Sequence, residues 1–174
     1  MVVSLALLAL TACTNTVTGQ PGATSASNTG SPTAASGNAT DPFAELDLCT
    51  LVDQGVADQG FSSAKPSGDV KSVRQCVASK PGFATVGLIV QAGNPYNSNF
   101  PDGVTTKTGD VNGRPSVQST GGTYNKFGCD IYLEVKPNSR AIVGSTMSAG
   151  TAEEACTLSG QVATKIEPLL PKNN

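Results

Sequence analysis

Histidine and tryptophan are both absent from this 174-residue sequence. Without histidine, the chain lacks the base that activates serine and cysteine nucleophiles in catalytic triads, and it lacks the commonest metal ligand. The absence therefore excludes Ser–His and Cys–His nucleophile activation and most zinc hydrolases.

Charged residues are also scarce, at 14% of the chain, and the formal net charge is only -2. The Lys and Arg residues are scattered singly along the sequence. Nucleic acids and anionic membrane surfaces are bound by clustered basic residues. The sequence therefore predicts no nucleic-acid partner and no polybasic membrane patch.

The acidic residues offer little for catalysis or metal binding. Glu153 and Glu154 are neighbours, and side chains of neighbours on a helix point about 100° apart, so we assign them to a helix start, where carboxylates are favoured. The stretch "DVNGR" at residues 110–114 lacks the later acidic ligands of a calcium loop, so it predicts a turn. We expect no metal and no cofactor.

Long hydrophobic runs are missing except at the start, where "LALLALTAC" ends at a cysteine. The run is too short to span a bilayer as a helix, but it suits the apolar core of a signal peptide. Residues 10–13 (LTAC) match the lipobox of bacterial lipoproteins, in which small residues precede the cleavage site and the Cys carries the diacylglyceryl group. We predict a lipoprotein signal peptide at residues 1–12 and acylation of Cys13. Residues 1–4 lack the usual basic region, so we expect the true start to lie upstream or the leader to have been trimmed.

The segment that follows Cys13 has no Lys, Arg, Glu, Leu, Ile or aromatic residue up to residue 41. A segment of Thr, Ser, Gly, Asn, Ala and Pro cannot bury enough apolar surface to offset its ordering entropy. We therefore assign residues 13–41 to the lipidated Cys and a disordered tether. Such a tether would hold the remaining chain roughly 25–30 Å from a membrane.

Residues 42–174 have the size of one domain. The sequence predicts helices near both ends of this domain. Asp47 and Asp53 are each expected to cap a short helical turn. Thr151 and Glu154 form a capping box that opens a C-terminal amphipathic helix. The expected apolar stripe of that helix consists of Ala155, Leu158, Val162, Ile166 and Leu169.

Strand patterns fill the middle of the domain: "SVRQCVAS", "FATVGLIVQ", residues 104–108 and 116–120, "FGCDIYLEV" and "AIVGSTM". In "FGCDIYLEV" the apolar residues alternate with Asp130, Tyr132, Glu134 and Lys136, which predicts one face in the core and one in water. We treat Asp130 and Glu134 as part of a solvated face, with a binding surface as the alternative. The predicted fold is α+β: an antiparallel sheet with N-terminal short helices and a C-terminal helix on its apolar face.

Four cysteines lie in this domain, at tens of residues from one another. Zinc sites usually carry a closely spaced Cys pair, so two disulfides are the expected state in an exported domain. We predict the pairs Cys49–Cys156 and Cys76–Cys129, because the first two residues lie near helix starts and the other two lie in strands.

The long loop at residues 92–103, "AGNPYNSNFPDG", is the best candidate for ligand contact. It carries two aromatic residues, Tyr96 and Phe100. Long loops without secondary structure of their own are often functional.

The framework of the sequence resembles the DUF3558 family of actinobacterial lipoproteins. The resemblance rests on the "LTAC" lipobox with its "VTG", the polar tether, "DLCTLV", "RQCVAS", "NGRP", "FGCDIYLEV" and "EEACTLSGQVATKIEPLLP". Ala78 stands where many members would have Trp. Because these motifs are framework elements, the resemblance implies a fold and a cellular address, and it implies no catalytic residue.

Two classes of function stay open from the sequence. The favoured one is a non-catalytic, lipid-anchored module on the outer face of the cytoplasmic membrane, which binds an envelope protein, glycan or lipid. The alternative is an envelope enzyme or enzyme subunit that uses Asp/Glu chemistry. An apolar cavity would favour lipid binding, and two buried carboxylates in one cleft would favour the enzyme.

Overall fold

A computed structural model describes residues 41–68, 74–122 and 125–172. The predicted leader and the tether up to residue 40 lie outside the described residues. In chain order the elements are α1 (Leu48–Gly55), β1 (Lys65–Pro66), β2 (Arg74–Lys80), β3 (Ala84–Ala92), β4 (Val104–Val111), β5 (Arg114–Gly121), β6 (Gly128–Lys136), β7 (Ser139–Met147), α2 (Ala152–Ile166) and a 3-10 turn (Glu167–Leu169). Among these elements, no helix has the length and apolar character needed to cross a membrane.

The seven strands form one sheet in the order β1-β2-β3-β7-β6-β5-β4. Every neighbouring pair is antiparallel. Strands β1 to β3 and β4 to β6 are two meanders, and β7 joins them by lying between β3 and β6. The predicted α+β class, with an antiparallel sheet and helices from both ends of the domain, is confirmed.

Both helices begin at side-chain caps. Asp47 caps α1 by accepting hydrogen bonds from the backbone N–H groups of Cys49 and Thr50, as predicted. The prediction of a second cap at Asp53 was wrong, because α1 continues through this residue. The Asp53 carboxylate instead accepts a hydrogen bond of 2.7 Å from the N–H of Ala64.

The capping box predicted for the C-terminal helix is present at the start of α2. Its predicted stripe is buried as far as Ile166, but Leu169 is 41% exposed. The α-helix ends at Ile166, and the 3-10 turn that follows has about three residues per turn. This tighter winding turns Leu169 outward and brings Leu170 into the core, where it is 3% exposed.

The main core lies between the two helices and one face of the sheet. Helix α1 packs on β2 and β3, and α2 packs on β6 and β7 and against α1. The largest fully buried aliphatic side chains here are those of Val52, Val86, Leu88, Leu133, Val135, Val143, Val162 and Ile166. Strands β5 and β4 extend beyond α2 and have few contacts with it.

A buried hydrogen-bond network fixes α2 to the sheet. The Ser159 hydroxyl donates to the carbonyl of Cys129 at 2.8 Å, and the Ser145 hydroxyl donates to the carbonyl of Ala155 at 2.7 Å. The two hydroxyl oxygens lie 2.8 Å apart. Buried polar groups that are all satisfied in this way specify one position of a helix on a sheet.

The disulfides are Cys49–Cys76 and Cys129–Cys156, with Cα–Cα distances of 5.1 and 4.9 Å. Two disulfides were predicted, but the predicted pairing was wrong. Three strand spacings separate β2 from β6, roughly 14 Å, so Cys76 and Cys129 cannot be bridged. Each helix instead lies over the strand to which it is linked, which gives one helix–strand bridge at each end of the core.

The second face of the sheet is not uniformly solvated. Tyr132 was predicted to face water, but it is 3% exposed and forms a small apolar cluster with Val117 and Ile142. Ile89, Tyr96 and Phe100 pack against this cluster. The prediction that the face of the sheet opposite the helices is exposed to water therefore holds only away from Tyr132.

Candidate functional site

The predicted ligand loop lies across the second face of the sheet, and we call residues 93–103 the strap. Tyr96 and Phe100 are both half-buried there. The ring of Phe100 meets that of Tyr132 edge-on, with centroids 5.0 Å apart. The two aromatic residues thus contribute to covering the apolar cluster, and ligand contact by the strap stays a prediction.

Arg140, on β7, holds the strap in place. Its Nη1 atom donates to the carbonyl oxygens of Pro95, at 3.1 Å, and Ser98, and its Nε atom donates to Oε1 of Gln91 at 2.7 Å. The guanidinium also lies 4.9 Å from the centroid of the Tyr132 ring. A buried arginine bound in this way makes the strap a fixed part of the domain.

Asp130 is the carboxylate on this face whose environment is unusual. It lies over Gly144, where an added Cβ would come within 2.3 Å of its Oδ1 atom. Burial raises the pKa of the Asp130 carboxyl above its ordinary value. Burial also raises the pKa of the Tyr132 hydroxyl, and the charge of Asp130 adds to that shift. Asp130 is thus partly buried, where a solvated residue was predicted.

Asp130 does not form a carboxylate pair with Glu134. Tyr132 lies between them on the same face of β6. Among the described residues, no group of three or more Cys, Asp or Glu side chains is placed to hold a metal ion.

A groove runs along the other side of the sheet, between α2 and the β4–β5 hairpin. It consists of two adjoining cavities of about 430 and 400 Å³, which share Gln118. One cavity extends to Glu153 near the start of α2, and the other extends to Thr164 near its end. We call this feature the α2 groove.

The groove exists because α2 is centred on β6 and β7 and leaves β5 and β4 without a helix above them. On β6 the helix-facing positions carry Cys129, Ile131, Leu133 and Val135, all buried. On β5 the corresponding positions are polar: Ser116 pairs with Leu133, Gln118 with Ile131 and Thr120 with Cys129. The floor of the groove is therefore made of hydroxyl and amide side chains.

Two glycines face each other across the groove, Gly160 on α2 and Gly109 on β4. An added Cβ at Gly160 would have only Ile131 Cδ1 nearby, at 3.9 Å, and one at Gly109 only Ser116 Oγ, at 4.0 Å. Neither glycine has a positive φ. Glycine in the middle of a helix or strand costs up to roughly 1 kcal/mol of stability relative to alanine, and neither packing nor backbone geometry requires glycine at these two positions.

The other described glycines have an evident reason. Those at turns have positive φ, and those with ordinary φ are Gly55, Gly87, Gly128 and Gly144. At these four positions an added Cβ would come within 3.2 Å or less of a side chain. Gly109 and Gly160 are thus set apart from the other glycines that the structure describes, and both line the same cavity.

Ser116 lies at the floor between these two glycines. The residue as a whole is only 6% exposed, but no fully buried side-chain oxygen of the described residues lacks a hydrogen-bond partner, so a Ser116 hydroxyl without a protein partner must open into the cavity. Its Oγ atom lies on the groove side of β5, next to Gly109. A hydroxyl that opens into a cavity from an otherwise buried side chain is held in one place, and it can hydrogen-bond to a ligand atom there.

The far end of the groove is fixed by two polar contacts. Asn112, in the tight turn between β4 and β5, donates from Nδ2 to the carbonyl of Thr164 at 2.9 Å. Arg114 donates from Nε to Glu167 at 2.8 Å and from Nη1 to the carbonyl of Glu134 at 2.8 Å. The contacts with Thr164 and Glu167 hold the hairpin against the C-terminal end of α2 and the turn that follows it. The groove therefore has a fixed width at this end.

The sequence predictions did not include the α2 groove. The hairpin strands were predicted, but not the polar character of their helix-facing side. The available signals were the polar alternation of Ser116, Gln118 and Thr120 and the glycines at 109 and 160 inside regular elements.

The family model DUF3558, described as a protein of unknown function, matches residues 8–169. The chain belongs to this family. No curated protein matches, and no solved structure matches. The DUF3558 assignment confirms the resemblance of the framework motifs, and its description carries no activity, ligand or partner.

Proposed function

We propose that this DUF3558 protein is a lipid-anchored envelope protein that binds a partner, without catalysis, in the α2 groove. The observation that carries the proposal is the preformed groove itself, in which the Ser116 hydroxyl opens into the cavity between two glycines that packing does not require. A preformed cavity with a few placed polar groups is the usual form of a ligand site.

The sequence supports the anchor. Residues 10–13 match a lipobox, and the uncharged small residues that follow suit a tether between a membrane and a domain. The two disulfides fit an oxidising compartment outside the cytoplasm. We place the domain at the outer face of the cytoplasmic membrane, held by acyl chains on Cys13.

The Cys13→Ala variant tests the anchor. Stable anchoring needs more than one acyl chain, and this substitution removes the site of acylation. The variant should appear in the medium or stay unprocessed, whereas the parent protein should be found in the membrane fraction with acyl mass on its N-terminal peptide. A mature protein that stays in the membrane without acyl mass would contradict the proposal.

A photo-crosslinking residue in the groove tests binding in intact cells. Placed at Lys107, which lines the groove, it should give a discrete adduct, and Gly160→Leu should remove that adduct by filling the space between the walls. The matched control places the same residue at the exposed Lys126, outside the groove. Equal adducts from both positions, or an adduct unaffected by Gly160→Leu, would count against the groove.

An envelope enzyme with Asp/Glu chemistry is the second candidate, and Asp130 is the observation in its favour. A partly buried carboxyl with a raised pKa resembles a general acid. Asp130 lies on the strap side of the sheet, away from the α2 groove. The test compares cells that carry each variant with cells that lack the protein. If Asp130→Asn reproduced the phenotype of the cells without the protein and Gly160→Leu did not, the enzyme would be the better proposal.

A further inference from the structure

We infer that the α2 groove binds a neutral saccharide chain, and this inference rests on the proposed function of the groove as a binding site. The polar groups available inside the groove, their charge balance and the shape of its walls all favour this ligand class.

Few main-chain groups are free inside the groove. Strand β5, its floor, is paired on one side with β4 and on the other with β6. Beyond its first turn, the main-chain groups of α2 bond within the helix, so only the N–H groups of Ala152 and Glu153 lack an intrahelical partner, at one end of the groove. The unpaired edge of β4 points away from the groove, outward in the plane of the sheet. A peptide strand is bound chiefly through main-chain hydrogen bonds, so the groove lacks what such a ligand needs.

Side-chain hydroxyls and amides are available instead. Ser116, Gln118 and Thr120 project from the floor. At one end, the Thr164 hydroxyl already donates to the carbonyl of Gly160 and the Asn112 amide to Thr164 and Glu167, so these two side chains can only accept hydrogen bonds from a ligand. A serine or threonine hydroxyl can donate one hydrogen bond and accept two, and an amide can do both. Sugar hydroxyls have the same double capacity, so the two sets can pair in many arrangements without leaving a buried group unsatisfied.

The charges of the groove favour a neutral ligand. Its lining includes one basic residue, Lys107, and two acidic residues, Asp110 and Glu153. Asp110 already accepts a hydrogen bond from the N–H of Gly113. A strongly anionic or cationic ligand would therefore find no matching cluster of opposite charge.

The shape favours a chain over a single sugar. From Glu153 to Thr164 the helix wall rises about 16 Å, at 1.5 Å per residue. Gly160 and Gly109 leave room for the bulk of a ring about two-thirds of the way along, and Ile131 and Cys156 offer apolar contacts to C–H groups of the chain. No aromatic side chain of the described residues lines the two cavities, so we expect weak, millimolar binding.

NMR titration of the full chain carrying Cys13→Ala tests the ligand class. The probes are two neutral trisaccharides, maltotriose and chitotriose, which differ in their hydroxyl and acetamido groups. At millimolar concentration, at least one should shift the amide signals of Gly109, Ser116, Gln118 and Gly160. The signal of Thr85, on the other face of the sheet, should stay unchanged. Shifts spread equally over both faces would overturn the inference.

Two substitutions check that the shifts report on the groove. Ser116→Ala should weaken binding about two- to tenfold, the usual effect of losing one hydrogen bond. Gly160→Leu should weaken it at least about tenfold by filling the space between the walls. The matched control is Gln161→Leu, the next residue on α2, which lines a different cavity beside Phe83. Equal loss in Gln161→Leu would overturn the assignment.

An uncharged peptide separates this inference from the proposed function. The probe is an acetylated and amidated hexapeptide of Ser, Thr and Ala. If the peptide shifts the groove signals and both trisaccharides do not, the saccharide inference is wrong, but the groove remains a binding site. If none of the three probes shifts any groove signal, the saccharide inference fails, and the photo-crosslinking at Lys107 decides separately whether the groove is a binding site.

Discussion

Strands β6 and β5 are neighbours in one antiparallel sheet, yet their helix-facing side chains differ in kind. Those of β6 are apolar and lie under α2, and those of β5 are polar and lie beside it. The same contrast holds between the covered part of the sheet, β2, β3, β7 and β6, and the β4–β5 hairpin. Both parts belong to the same antiparallel sheet, so the difference lies in what covers them. The covered part gives the domain its stability, and the hairpin is free to carry a binding surface.

The disulfides give the largest expected effect, because both lie in the covered part. Each closes a segment with a sequence separation of 27 residues. In the chain-entropy model, the loss of either costs about 3–4 kcal/mol in the free energy of unfolding. The double variants Cys49→Ser/Cys76→Ser and Cys129→Ser/Cys156→Ser should therefore lose similar stability in denaturant titrations. Non-reducing peptide maps of Cys156→Ser should show Cys129 as the free thiol; a free Cys49 would contradict the structure.

Large-to-small substitutions compare the two parts directly. Leu88→Ala, at a fully buried position of β3, should lower the free energy of unfolding by about 3 kcal/mol. Thr106→Ala, at an exposed position of β4, should change it by less than about 0.5 kcal/mol. Urea unfolding followed by circular dichroism measures both. Equal losses would show that the hairpin contributes to the core as much as β3 does.

Alanine at two glycines should act in opposite directions. In Gly144→Ala the new Cβ meets the Asp130 carboxylate, so we expect a loss of about 1–3 kcal/mol. In Gly160→Ala the new Cβ fits, so the helix should gain up to about 1 kcal/mol while saccharide binding weakens. Thermal unfolding gives the sign of each change. A destabilised Gly160→Ala variant would mean that packing requires this glycine after all.

The smallest effect concerns pH and Asp130, on the strand that borders both parts. Its folded-state pKa is raised above the ordinary value of 3.8, so the folded protein holds this proton more tightly than the unfolded chain. Stability should therefore fall as pH rises from about 3.8 through the raised pKa. Asp130→Asn should remove this part of the pH dependence, as measured by unfolding at several pH values. Thr106→Ala is the control and should leave the pH dependence unchanged.

Local patterns predicted the fold well. The capping box at Thr151 and the alternation in β3 and β6 depend on neighbours along the chain, so the sequence shows them directly. The disulfide pairing depends on the order of strands, in which β7 separates β3 from β6. No local pattern states that order, and the prediction paired Cys76 with Cys129 across strands that are not adjacent.

The candidate site was predicted less well than the fold. Tyr96 and Phe100 were correctly placed in a long loop, but their half-burial depends on Arg140, which is about 40 residues away in sequence. The α2 groove depends on where α2 lies over the sheet. That position follows from Ser145 and Ser159, and a sequence pattern does not show that two serines meet.

The order of the disulfides along the chain has a consequence for biogenesis. Each bridge joins cysteines that follow one another in sequence, first to second and third to fourth within the domain. In a chain that crosses a membrane from its N-terminus, Cys49 and Cys76 emerge together before Cys129 is available. If Cys13 is acylated, as we propose, oxidation in order of emergence would give the native pairs, without an isomerase to rearrange them. The sheet can be completed only at the end, because β7, which joins the two meanders, is the last strand in the sequence.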